Sequence, residues 1–483
     1  MMERENHTDI QKLFETVVDG DYCIGCGACA AVKESPIQMK LDGYGKFTAT
    51  IAPSASQQLL DSSVQAVCPF SNHSLNEDQL GQELFSHNCQ RHDRIGYHLS
   101  TYAGFVSEDG FRDRGSSGGM GTWIVSELMQ QGLVDGVIHV HQRQPDADDS
   151  RLFHYQLSTT LEQVRSGAKS RYYPIELSGV MQLVRDRPGR YAIVGIPCFI
   201  KAVRLLMRQE PLLAERIVFC VGLVCGHLKS TQFAAMFAWQ CGITPDNLRA
   251  IDFRKKLPGL NANQYGVEIV GVQDGQVVTH VRPVPELYGR DWGLGFFKYK
   301  ACDYCDDVVA ETADVVVGDA WLPQYVQDSQ GTNVLVVRHP VIQDLVELGM
   351  AADRLQLDRI DADEVAKSQS SGFAHRREGL AYRLYLVDRQ KQWRPLKRVQ
   401  ASAKHLSRNL QKRHVLRVEM ATESHLAFKA AIATGTFSVF VEKMDAIVQR
   451  YRVVSQGSRW KRLAGKVKGK VQQLVSQFRK ETA

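Results

Sequence analysis

The chain has 483 residues, 44% apolar and 23% charged, values of an ordinary globular protein with room for two to four domains. No apolar run reaches the roughly 18 residues of a membrane-spanning helix, and the polar start MMERENHTDI lacks a leader's apolar core, so a cytoplasmic protein is expected. Eleven cysteines in a reducing compartment argue against a disulfide framework and for metal or redox use.

The first informative stretch is DYCIGCGACAAVKESP, residues 21–36. Ferredoxin-type runs read C-x2-C-x2-C-x3-C-P, and their fourth cysteine ligates a second cluster. Cys23, Cys26 and Cys29 keep the first part, but Lys33 and Glu34 stand where the last cysteine and the proline would be. The missing fourth ligand is supplied downstream by Cys68, directly followed by Pro69. These four thiols suit one 4Fe–4S cluster, and Gly25 and Gly27 allow a tight loop whose N–H groups face sulfur. Structural zinc also takes four cysteines, but usually as two separate C-x2-C pairs, so the spacing favours iron and sulfide.

From about 95 to 385, short apolar runs alternate with helical patterns. LVDGVIHV (133–140), YAIVGIP (191–197), RIVFCVGLVCG (216–226) and ADVVVGDA (313–320) read as buried strands. MGTWIVSELMQQG (120–132) and CFIKAVRLLMRQ (198–209) read as helices. The expectation is an α/β fold, a sheet flanked by helices. A hairpin over 267–284, turning at Asp274-Gly275, suggests that the sheet is mixed. Three stretches follow: a small ferredoxin-like domain at 1–88, an α/β domain at 95–385, and a basic helical tail at 390–483.

Cys302 and Cys305 form a further C-x2-C, which serves zinc, a cluster or a redox dithiol. Cys198 and Cys225 sit at strand ends, where ligands collect in α/β folds, and would complete a second set of four. Cys220 falls inside an apolar run and Cys89 and Cys241 lack partner spacing, so all three read as packing residues. Ser116, Ser117, Gly118 and Gly119 precede a helical pattern. Serine can cap such a helix, and the glycines expose N–H groups at its positive end, a seat for pyrophosphate or simply a capped helix. No G-x-G-x-x-G joins a strand to a helix, so a Rossmann nicotinamide site is not supported. Arg254 and Lys255 in IDFRKK read either as holders of an anionic substrate or as solvated charge.

The sequence resembles the coenzyme F-420 hydrogenase/dehydrogenase beta-subunit family of iron–sulfur flavoproteins. The segments that carry the likeness are CIGCGAC (23–29), RDRGSSGG (112–119), SGAKSRYY (166–173), GIPCFIKAVR (195–204), GLVCGHLKS (222–230), CDYC (302–305) and ADVVVGDAW (313–321). AKSRYYPIELS and the long tail look most like bacterial members that occur with surface-polysaccharide genes. The resemblance implies a second 4Fe–4S cluster on Cys198, Cys225, Cys302 and Cys305, and FAD whose phosphates meet Arg112, Arg114, Ser116, Ser117, Gly118 and Gly119. It points to Lys169 near the flavin ring, the alternative being a solvated lysine. It implies an oxidoreductase that passes electrons from a ferredoxin-like protein or a reduced deazaflavin, through both clusters and FAD, to a small organic substrate. His227, Asp319 and Tyr172 are candidate acids for completing a reduction. Two rival readings are an electron-transfer beta subunit of a hydrogenase or dehydrogenase complex with no substrate of its own, and a zinc-stabilised binding protein.

The net charge of +6 is uneven. Residues 401–483 hold 17 Lys+Arg and 5 Asp+Glu, a net of +12, so the first 400 residues carry −6. RWKRLAGKVKGKVQQLVSQFRK (459–480) suits an anionic membrane surface, an acidic partner or a solvated end helix. It has no aromatic stacking platform for nucleic acid.

Overall fold

In the computed structural model, residues 8–53, 63–145 and 149–455 are described. The four apolar runs become neighbouring strands. Gly136–Gln142, Tyr191–Gly195, Ile217–Leu223 and Val315–Asp319 pair in parallel, in that order across the sheet. Continuous Val and Ile content suits strands covered on both faces. Phe153–Ser158 adds antiparallel at one edge. Asn333–Val337, Ser100–Val106 and Leu355–Arg359 add antiparallel in turn at the other, making eight strands. The fold is therefore α/β on a mixed sheet.

The hairpin forms where expected, Gly266–Gln273 against Gln276–Pro283. Asp274 and Gly275 take φ of 51° and 77°, as a two-residue type I′ turn requires. It does not join the large sheet. It pairs with Leu248–Lys255 in a separate three-stranded sheet. The outer strand is polar and exposed, with Val277 73% accessible, and would not survive burial on two faces. The large sheet is mixed because of its own flanking strands.

Helices Met120–Gln130 and Pro197–Gln209 pack on the sheet, the second opened by Pro197 at its first turn. Ile10, Leu13 and Val17 share one core with Ile138, Ile193 and Val203, so the N-terminal segment is anchored on the sheet. The 27-residue helix Arg408–Thr434 ends at Gly435 in the left-handed region. It packs, with the helical run 438–455, on the three-stranded sheet and on Gln232–Gln240 through Phe428, Phe440 and Met444. The stretch 459–480 lies outside the described residues. No described helix is long and apolar enough to cross a membrane.

Candidate functional site

The loop carrying Cys23 and Cys26 turns through Gly25 and Gly27, at φ of 73° and 79°. A Cβ on Gly25 would stand 2.5 Å from the Phe47 carbonyl oxygen, so only glycine fits. Cys29 lies on the short helix Ala28–Ala31, and Cys68 follows the turn Gln65–Val67. The structure brings these four together. Burial raises Cys29 well above the ordinary thiol range, and the charges of Cys23, Cys26 and Cys68 push it further. Burial lifts Cys68 to about 11. Backbone N–H groups of Gly25 and Ala49 reach Cys23, that of Ala28 reaches Cys26, that of Ala30 reaches Cys29, and those of Phe70 and Ser71 reach Cys68.

A second quartet lies beside the first. Cys198 opens the helix after strand Tyr191–Gly195, Cys225 follows strand Ile217–Leu223, and Cys302 and Cys305 come from the turn Lys300–Tyr304 and its end. All four line one cavity, with Ile24 and Phe70 from the first quartet's loops as part of its wall. Burial raises Cys198, followed by the charges of Cys305, Cys225, Cys302 and Cys26. Cys26 of one set is thus a neighbour of Cys198 in the other. The Leu228 N–H donates to Cys302 Sγ at 3.2 Å.

The donor sets fit iron–sulfur clusters. Four buried thiols that repel one another ionise together only if cations neutralise them, and metal binding releases their protons. A zinc ion would gather four sulfurs at about 2.3 Å from one centre. A cluster binds each thiolate through a different iron, and the C-x2-C-x2-C loop with a remote Cys-Pro is the spacing that suits it.

Arg376 enters this cavity from a π-helical turn, Ala374–Glu378. Its guanidinium donates to the carbonyls of Asp307 and Gly226 and reaches the Cys225 sulfur. Nothing in the local sequence marks it. His227, two residues after Cys225, is buried and held well below its ordinary range, first by desolvation and then by Lys229. Its ring centroid lies 4.6 Å from Trp292, which in turn meets Tyr172 at 4.8 Å.

Tyr172 and Asp319 come together at Arg254. Arg254 Nη1 donates to Asp319 Oδ2 at 2.9 Å and to Tyr172 Oη at 3.3 Å, and Nη2 donates to the Ser116 carbonyl at 3.4 Å. Arg254 is only 4% exposed, so of its two sequence readings the solvated one does not hold. Lys255 does lie at the surface, paired with Glu268 at 2.6 Å. Lys256 Nζ donates to the Arg112 and Ser117 carbonyls.

The serines do not cap the helix Met120–Gln130. Gly119 occupies the cap at φ 86°, and the Met120 N–H donates to Asn333 Oδ1 at 3.1 Å. Ser117 Oγ donates instead to the Thr332 carbonyl, and Ser116 Oγ accepts from the Ser170 N–H. Tertiary neighbours therefore outcompeted the local cap. The N–H groups of Ser116, Ser117, Gly118 and Gly119 donate to no protein acceptor among the described residues. Open space lies over Gly121, where a Cβ would meet nothing within 4 Å. Free N–H groups at a helix start, beside buried cations, fit a bound anion. Two of the other expected phosphate and flavin cations have partners of their own, and the third faces solvent. Arg112 pairs with Asp328 at 2.5 Å, Lys169 pairs with Asp252 at 2.9 Å, and Arg114 is exposed.

Cys220 sits in the strand beside Arg204 and Asp314, Cys89 Sγ donates to the Arg338 carbonyl, and Cys241 ends a helix. None of the three joins either quartet.

Comparison with known proteins gives two family matches, both to the beta subunit of coenzyme F420 hydrogenase/dehydrogenase. Residues 101–182 match its N-terminal part, and residues 189–363 match its C-terminal part. Together they span just over half of the chain. A chain of the F420-reducing [NiFe] hydrogenase complex from Methanosarcina barkeri is similar at 15% identity, over 63% of this chain and 99% of its own, with a TM-score of 0.46. No curated protein matches.

Proposed function

This chain belongs to the coenzyme F420 hydrogenase/dehydrogenase beta-subunit family, and from that premise we propose that it is an iron–sulfur flavoprotein oxidoreductase. It takes electrons from a ferredoxin-like protein or a reduced deazaflavin and passes them to a small organic substrate, within surface-polysaccharide biosynthesis by its likeness to that group. Two 4Fe–4S clusters and FAD, when bound, supply the one- and two-electron chemistry that side chains lack. The observation that carries the reading is that the two four-thiol sets lie together, with Ile24 and Phe70 from the first set's loops walling the cavity that Cys198, Cys225, Cys302 and Cys305 line.

In this reading residues 1–88 bring Cys23, Cys26, Cys29 and Cys68, and residues 95–385 bring Cys198, Cys225, Cys302 and Cys305. Ile24, Phe70 and Ile196 keep water from the sulfurs. The N–H groups of Ser116 to Gly119 hold the pyrophosphate, with Arg254 and Lys256 fixing the loop's carbonyls. Tyr172 holds a proton beside this seat, because burial raises its phenol above the ordinary range. The Arg254–Asp319 pair fixes the phenol's position.

The test is anaerobic purification of the full chain, followed by iron, sulfide and flavin analysis. Eight iron, eight sulfide and one FAD per chain are expected. Reduction by ferredoxin and by reduced deazaflavin is then compared with NAD(P)H. A colourless protein that binds zinc refutes the reading.

A further inference from the structure

Arg376 lies beyond the last residue matched by the family, 363. Its side chain is among the largest fully buried ones, at 1% exposure. Its guanidinium accepts no help from a carboxylate: among the described residues it forms no ion pair, and its partners are two backbone carbonyls and the Cys225 sulfur. A buried cation without a counter-charge is strongly unfavourable. The side chains beside it in the cavity that can carry negative charge are Cys225, Cys302 and Cys305, whose thiols ionise when metal binds. The backbone is built for this placement. The π-helical turn Ala374–Glu378 aims three successive side chains at one region: His375 toward Asp303 at 3.4 Å, Arg376 into the sulfur cavity, and Arg377 toward Glu311 at 3.1 Å. Such single π turns in helices often mark functional positions.

We propose that Arg376 is the positioning charge that sets the reduction potential of a cluster held by Cys198, Cys225, Cys302 and Cys305, raising it so that the electron settles there. The assignment rests on the two-cluster reading above. One electron enters the cluster from the reductant, no bond forms or breaks, and the added negative charge is stabilised by the fixed guanidinium more than the oxidised form is. Removing the charge lowers the potential.

The test is an EPR-monitored titration with dithionite on the anaerobically purified full chain. The signal absent from Cys198→Ala belongs to the second quartet. If Cys198→Ala loses neither iron nor a signal, the two-cluster reading fails and the assignment with it. If Arg376→Gln keeps the iron, the reduced-to-oxidised ratio at the wild-type midpoint should fall at least tenfold, which is about 59 mV for one electron. An unchanged ratio with all iron present overturns the assignment and leaves the two-cluster reading standing. If Arg376→Gln loses the iron, Arg376→Lys decides. Retained iron with the wild-type ratio supports a charge role. A tenfold fall, or loss of iron there too, overturns it, because the arginine then serves by its shape.

Discussion

Arg398 clasps three parts of the chain, and removing it tests how they are held. Its side chain is 6% exposed and grips Glu311 with both terminal nitrogens, at 2.8 and 2.9 Å. It also reaches Asp78 at 3.1 Å, Asp306 at 3.4 Å and Glu77 at 3.6 Å. Glu77 belongs to the N-terminal segment, Asp306 and Glu311 follow the CDYC turn, and Arg398 follows the helix Gly379–Arg389. Arg398→Ala leaves three buried carboxylates with only Lys201, Lys397 and Arg377 as counter-charges. Removing one partner from a buried ion pair costs about 3–5 kcal/mol. Unfolding entropy near 2.1 cal/mol/K per residue gives about 0.8 kcal/mol/K for a cooperative unit of roughly 400 residues. The expected fall in Tm is therefore about 5 °C by scanning calorimetry. Against the upward pull of burial, Lys201 first and then Arg398 and Lys397 lower Glu77 below its ordinary value. In the wild type, Glu77 thus adds stability above its unfolded pKa and loses it as pH falls through the lower folded value. In Arg398→Ala the carboxylates take up protons more readily, so the Tm gap should narrow between pH 7.5 and pH 5. A gap under 1 °C at pH 7.5, or one that widens in acid, refutes the reasoning. Arg398→Ala combined with Glu311→Gln should recover part of the loss.

The other expectations concern the candidate site. Cys26→Ala should halve the iron per chain and leave the Cys198 set loaded, while Cys198→Ala does the converse; loss of all iron from either would mean the sets are not independent. Gly119→Ala forces a side chain onto φ 86° and sets its Cβ 2.8 Å from the Phe111 carbonyl carbon. It should cost at least about 1–2 kcal/mol and lower bound flavin, read by urea unfolding and by flavin fluorescence. Lys256 is brought down to about 8, first by burial and then by Arg112 and Lys169. Its charge is present below pH 8 and fades above it, so FAD affinity should weaken between pH 7 and pH 9. Lys256→Met should flatten that slope, and an identical slope in the variant would remove Lys256 from the seat.

What the sequence determined by itself was whatever depends on neighbours a few residues apart. The C-x2-C-x2-C spacing puts two thiols on one loop and the third on the helical turn after it, because glycines at 25 and 27 permit the bend. Apolar runs at 136–142, 191–195, 217–223 and 315–319 fold as buried strands because their Val and Ile content suits cover on both faces. Asp274-Gly275 makes its turn because both residues tolerate positive φ. The tertiary structure decided everything that depends on distant partners competing for one group. Asn333, not Ser116 or Ser117, caps the helix after Gly119, because a strand far along the chain brings its amide to that N–H. The hairpin joined a second sheet because its outer face is too polar to be covered. Arg254 was ambiguous until Asp319 and Tyr172 were packed against it. Arg376 has no local pattern at all, since its role comes from a helical turn laid over sulfurs contributed about 70 to 180 residues earlier.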